Sequence, residues 1–277
     1  MTKVIAIANQ KGGVGKTCTA LHLGVGLAKC GQRVLLIDLD AQANLTMSLG
    51  WTEPDTLPTT IATLLDKTAR EEPLPFHEGI LHSAEGVDLL PSSIQLSGYE
   101  ATLVSEFGRE SVLRQYLQGI RQDYDFLLID CMPSLNILTV NALTAADSVL
   151  IPTQPQYFSA AGLQMLFQTI HRVQRKLNPP LKIEGVLVTM MDRRPLFARE
   201  LVEKLRENYG EQIPVFEAEI PSSIRVTESS ARGQSLFSYD PRGRVALAYD
   251  ALAKEVLDHA RPRIREGRAL PASGRTL

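Results

Sequence analysis

The stretch that most constrains this chain is NQKGGVGKT, Asn9 to Thr17. It lies between the apolar run KVIAIA (3–8) and a helix-period stretch that opens near Cys18. A strand, a glycine-rich loop and a helix in that order form a cradle for a polyphosphate. Gly12, Gly13 and Gly15 let the backbone turn tightly and bring its N–H groups close to phosphate oxygens. The helix start behind them adds partial positive charge. Lys16 can reach the β- and γ-phosphates, and the Thr17 hydroxyl can complete the shell of a bound Mg²⁺. Lys11, Gly12, Gly13, Val14, Gly15, Lys16, Thr17 and Cys18 are therefore the candidate nucleotide-binding segment. The loop departs from the pattern G-x-x-x-x-G-K-[ST] at its first position, where Gln10 replaces glycine, and it carries a second lysine, Lys11.

The rest of the chain supplies the scaffold such a loop requires. RVLLID (33–38), DFLLID (125–130), SVLIPT (148–153) and EGVLVTM (184–190) are short, continuous runs rich in Val, Ile and Leu, as expected of strands buried on both faces. Helix-period stretches lie between them, including 98–122 and FSAAGLQMLFQTIHRVQRKL (158–177). The alternation predicts an α/β, doubly wound, mostly parallel sheet with helices on both faces. VDLLP (87–91) reads as a short strand in irregular chain, VFEAEIP (215–221) as another strand, and 243–260 as a final helix. One phosphate-loop domain is expected over 1–260, followed by a basic, flexible tail over 261–277.

Global charge does not announce nucleic acid, since the formal net charge is −2. Any DNA affinity must come from a local arginine cluster. No apolar run approaches a membrane span, and the first strand leaves no room for a signal peptide. Three scattered cysteines read as thiols in a reducing cytoplasm.

Three carboxylates fall where strands end. Asp38 and Asp40 close RVLLIDLD, and Asp130 closes DFLLID. In an open parallel sheet, ligands bind outside the carboxyl ends of the strands. Asp130 suits a magnesium ligand, direct or through water, with a turn or cap residue as the alternative. Asp38 is equally compatible with an outer-shell role, a helix-orienting role or a turn. Asp40 can orient or deprotonate an attacking water. Thr17, Asp40 and Asp130 form the candidate metal set.

KGGVGKT, together with DLDAQAN (38–44), LLIDCMPSL (127–135) and VLIPTQPQYFSAAGL (149–163), resembles the ParA/MinD class of deviant-Walker ATPases. TMMDRR (189–194) and IPSSIRVTESSARGQSLFSYDPRG (220–243) are similar to the short ParA, or Soj-type, members, and the resemblance runs from Met1 to about Leu257. It implies ATP and Mg²⁺ as cofactors and weak ATP hydrolysis. Lys11 would be a signature lysine reaching into the other subunit of an ATP-bound homodimer, with Gly12 at the dimer contact. Lys11, Lys16 and Asp40 would carry catalysis, Asp40 as the hydrolytic aspartate and Asp130 as the Walker B magnesium group. Met190, Asp192 and Pro221 would surround the adenine. A second lysine in one small loop adds repulsion in an isolated subunit, whereas in a partner's site it can stabilise a transferring phosphoryl group as an arginine finger does.

The resemblance further implies non-specific binding of double-stranded DNA by the ATP dimer through Arg194 and Arg225, with Arg232, Arg242 and Arg244 as further helpers. It also implies release when a ParB-like adaptor protein stimulates hydrolysis. The location would be cytoplasmic, nucleoid-associated in the ATP state. Met132, Gln156 and Ser229–Ser230 depart from the family pattern in loops that sense nucleotide or partner. Two rivals share the fold. A MinD-like membrane-associated ATPase would need an amphipathic C-terminal helix, but Val245, Leu247, Leu252, Val256 and Leu257 have the spacing of a core-facing stripe, so no stable membrane association is expected. An ATP-dependent metabolic ligase would need a substrate pocket beyond the nucleotide.

Overall fold

The computed structural model describes residues 2–74, 76–155, 160–191 and 213–260, with Glu200, Glu203 and Glu207 between the last two segments. Its strands are β1 (Lys3–Ile7), β2 (Val34–Leu39), β3 (Leu81–His82), β4 (Asp88–Leu90), β5 (Phe126–Cys131), β6 (Ser148–Thr153), β7 (Lys182–Met191) and β8 (Val215–Pro221). Among the described residues they form one sheet in the order β3-β4-β2-β5-β1-β6-β7-β8. The β3–β4 pair is antiparallel and the other pairings are parallel.

Each central strand buries both faces, which is why the sequence shows continuous apolar runs rather than alternation. Val4 and Ala6 face one core, Ile5 and Ile7 the other, as a period of two requires. The first core is covered by α3 (Ile61–Ala69), α4 (Gln95–Leu103), α5 (Val112–Gln118), α6 (Ile137–Ala145) and α7 (Ala160–Lys176). The second lies under α1 (Lys16–Lys29), α2 (Asn44–Ser48), α9 (Leu236–Tyr239) and α10 (Arg244–Ala260), with α8 (Arg225–Ala231) contributing Val226 at its margin. Fully buried leucines such as Leu36, Leu128 and Leu252 each add about 1.5–3 kcal/mol of burial free energy.

Three sequence expectations shift at this level. The first helix starts at Lys16 rather than near Cys18, because Gly15, in the left-handed region at φ 85°, already turns the chain into it. The stretch 98–122 splits into α4 and α5 around Gly108, whose φ is 67°. Leu247 does not join the apolar face of α10: it is 57% exposed, whereas Val245, Leu252 and Val256 are buried and Leu257 packs at the core margin. Residues 261–277 and Gln156 lie outside the described residues.

β1 lies between β5 and β6 near the centre of the sheet; the chain runs from β1 to β2 on one side and from β6 to β7 on the other. The loop that follows it therefore opens at the point where the sheet reverses its winding. In open α/β sheets that crevice is where ligands bind.

Candidate active site

The loop leaves β1 at Ile7 and is sewn to its neighbours by side chains. Asn9 Nδ2 donates to the Pro152 carbonyl at 2.8 Å, and Asn9 Oδ1 accepts from the Lys11 N–H at 3.1 Å. Gln154 Nε2 donates to the Gly13 carbonyl at 2.7 Å, and the Thr189 hydroxyl donates to the Val14 carbonyl at 2.8 Å. Gly13 and Gly15 adopt φ of 71° and 85°, which L-residues with a Cβ rarely reach. Gly12 differs: a Cβ there would meet only Pro133 Cβ at 3.9 Å, so nothing within the described chain demands glycine at that position.

Lys16 is buried and donates its Nζ to the Lys11 carbonyl at 3.0 Å. Burial pulls its pKa down, while Asp130, Cys131 and Asp40 push it back up. Ahead of it, Asp130, the penultimate residue of β5, lies in register with Ile7 of β1 and Asp38 of β2. Burial raises its pKa well above the ordinary carboxylate range; Asp38 and Asp40 add to the rise, and Thr17 and Lys16 oppose it. The Thr17 hydroxyl favours the charged form, yet among the described residues both Asp130 carboxylate oxygens are buried without a partner in hydrogen-bond geometry. An unsatisfied buried carboxylate beside a hydroxyl is what a hard, oxygen-seeking cation would satisfy, so this donor set fits Mg²⁺.

The two aspartates of β2 separate in role. Asp38 is fully buried and accepts from the Thr46 N–H at 2.9 Å and the Thr46 hydroxyl at 2.7 Å, which fixes α2 to the sheet. Its pKa is raised to about 6, mainly by burial. Of the readings open at the sequence level, the helix-orienting one matches this geometry. Asp40 points its Oδ1 at the Gln42 N–H, 3.0 Å away, and retains a slight opening to solvent at 9% exposure.

Cys18, one turn into α1, accepts from the Tyr249 hydroxyl of α10 at 3.3 Å, and burial raises its pKa to about 11. Its thiol stays protonated and packs rather than reacts. Next to it, His22 is fully buried, hydrogen-bonded through Nδ1 to the Cys18 carbonyl and stacked on Tyr249; burial lowers its pKa to about 4.

Farther along the sheet edge, Met190 has φ 51° and accepts from Gln154 Nε2 through its sulfur. Met191 pairs in register with Pro221. Beyond this pair opens a cavity of about 380 Å³ lined by Met191, Glu219, Pro221, Arg244, Leu247 and Ala248. Asp192 and Arg194 lie outside the described residues. Arg225 opens α8, exposed, with its Nη1 2.9 Å from Glu228 Oε2; Tyr239 and Glu228 both raise its pKa. Sequence reasoning missed Asn9, Gln154, Thr189 and the α10 side of the cavity. Only Gln154 carried a readable signal, since it follows the end of β6 just as Asp40 follows β2.

Comparison with known proteins places this geometry. A family model described as AAA domain matches residues 2–183. The chain is 42% identical to the sporulation initiation inhibitor protein Soj of Bacillus subtilis, over 92% of this chain and 98% of that one. It is 43% identical to the chromosome partitioning protein ParA of Caulobacter vibrioides, over 94% and 96% respectively. The chain belongs to the ParA/Soj family of P-loop ATPases. Among solved structures, cobyrinic acid a,c-diamide synthase from Mycobacterium smegmatis with bound ADP and magnesium superposes with a TM-score of 0.81 at 36% identity, covering 94% of this chain and 96% of that one.

Two of the departures from the ParA/Soj pattern, Met132 and Ser229, are accommodated locally. Met132 accepts from Asn136, the N-cap of α6, and the buried Ser229 hydroxyl donates to the Val226 carbonyl at 3.0 Å.

Proposed function

We propose that this ParA/Soj-family ATPase binds ATP·Mg²⁺ at the loop and alternates between a free subunit and an ATP-bound homodimer on DNA. The observation that carries the nucleotide reading is the Asp130 carboxylate, buried without a partner among the described residues at the strand end behind Lys16 and Thr17. Thr17 and Asp130, with Asp40, would hold Mg²⁺, which would neutralise phosphate charge. Lys16 exchanges the Lys11 carbonyl for phosphate oxygens, and the amides of Gly12, Gly13, Val14, Gly15 and Thr17 face the same charge. Asp40 orients or deprotonates the attacking water. The cavity beside Met191 and Pro221 takes the base, with Arg244 and Leu247 from α10 as its far wall.

Lys11 completes the neighbouring subunit's site. Two features support this: a second lysine in one loop, and a Gly12 that the described residues do not require to be glycine. Arg225, with Arg194, contacts DNA phosphates, and engaging DNA means exchanging Glu228 for a phosphate. A ParB-like adaptor triggers hydrolysis and release, and the protein is cytoplasmic and nucleoid-associated in its ATP state. Residues 1–260 act as one domain with 261–277 as a tail.

The likeness to a synthase at 36% identity keeps a ligase reading in play. Initial ATPase rates separate the two. Slow turnover that rises with duplex DNA and an adaptor protein supports the positioning reading. Fast turnover elicited by a small carboxylic acid with an amide donor, and indifferent to DNA, would replace it.

A further inference from the structure

The phosphate loop is held from outside itself by two buried amide side chains, and both connections end at the C-terminal end of β6. Asn9 reaches from the loop to the Pro152 carbonyl at 2.8 Å while its Oδ1 accepts the Lys11 N–H at 3.1 Å, an Asx-turn. Gln154 reaches the opposite way, from the strand end to the Gly13 carbonyl at 2.7 Å. Their exposures are 6% and 8%, and a buried primary amide is unfavourable unless hydrogen-bonded, so these bonds persist while the fold does. The Lys11 peptide is thus gripped on both sides, its N–H by Asn9 and its carbonyl by Lys16 Nζ at 3.0 Å.

We infer that Asn9 is the positioning residue that sets the direction of Lys11, with Gln154 as the counter-anchor that fixes the loop's curl at Gly13. The inference rests on the cross-subunit reading of Lys11. When phosphate draws Lys16 away, the Lys11 carbonyl loses that donor, whereas the Asn9 hold on the N–H stays. Binding of the subunit's own nucleotide therefore exchanges the Lys16 contact on the Lys11 carbonyl and keeps the Asn9 contact on its N–H. The residue type matters at Asn9. An aspartate makes the same Asx-turn but cannot donate to Pro152, and an alanine does neither.

A double-mutant cycle tests this, using ATP turnover and ATP-dependent dimerisation, with ADP affinity and thermal unfolding as controls. Asn9→Ala is expected to cut turnover and dimer formation about tenfold while leaving ADP affinity within twofold, the effect of losing both the Pro152 anchor and the hold on the Lys11 N–H. In a Lys11→Ala background the Asn9→Ala change should add less than twofold, because the group it directs is gone. Asn9→Asp, which keeps the turn and loses the anchor, should fall between wild type and Asn9→Ala. If Asn9→Ala weakens ADP as much as ATP, or multiplies fully with Lys11→Ala, Asn9 merely holds the loop's fold and the inference is overturned. If Lys11→Ala alone leaves turnover and assembly intact, the cross-subunit reading fails and takes this inference with it.

Discussion

Replacing Asp130 with asparagine should improve the free protein and disable it as an ATP·Mg²⁺ receptor. Among the described residues the carboxylate is buried without a hydrogen-bond partner beside the buried Asp38, so the free chain bears an uncompensated cost of about 1–3 kcal/mol. At about 2–4 °C per kcal/mol for a domain of this size, the neutral amide should raise the free Tm by several degrees. The pH dependence has a defined sign. The folded pKa lies above the unfolded one, so unfolding releases a proton, and wild-type stability falls as pH rises through the folded value. The advantage of Asp130→Asn should therefore widen as pH rises from 5. Ligand reverses the order, because ATP·Mg²⁺ at 100 times its Kd should add about 2.7 kcal/mol to the wild type and far less to the variant. Scanning calorimetry at two pH values, with and without ATP·Mg²⁺, reads all of this. A free variant less stable than wild type, or one stabilised equally by ATP·Mg²⁺, would refute the reasoning.

Lys16→Ala should abolish ATP binding by isothermal titration, since it removes the loop's buried ammonium. Asp40→Ala should still bind ATP and remain as a persistent dimer on DNA, and rapid dissociation in a surface-binding assay would count against its hydrolytic role. Arg225→Glu should keep nucleotide binding but lose DNA in gel shifts, while Arg225→Ala should lower the salt slope by about one; unchanged slopes would clear Arg225 of contact. His22 is buried neutral with its pKa lowered to about 4, so falling pH protonates the unfolded chain first and erodes stability between 6.5 and 4. Urea unfolding should show the wild type losing about 2 kcal/mol relative to His22→Asn between pH 7 and pH 5, and parallel pH profiles would contradict the burial argument.

What the sequence disclosed follows from burial. Strands covered on both faces leave unbroken apolar runs, so β1, β2, β5, β6 and β7 and the aspartates at the ends of β2 and β5 were legible together. Short elements lack that redundancy: α2 and β3 are only five and two residues long. The break between α4 and α5 depends on one left-handed glycine, Gly108, inside an otherwise helical period. The roles of Asn9 and Gln154 arise from contacts 143 and 141 residues apart, which no local period records. Asp38 could be separated from Asp40 only once Thr46 was seen to occupy it.

The central claim is that Lys11 joins two ATP-bound subunits into the form that holds DNA. Light scattering with DNA binding measured in parallel, on wild type and Lys11→Ala with ATP, ADP or no nucleotide, tests it most directly. The account predicts a dimer that binds duplex DNA for the wild type with ATP alone, and a monomer without DNA affinity in the other five conditions. A wild-type monomer that binds DNA equally well in all three nucleotide states, or a Lys11→Ala protein that dimerises with ATP as the wild type does, would contradict it.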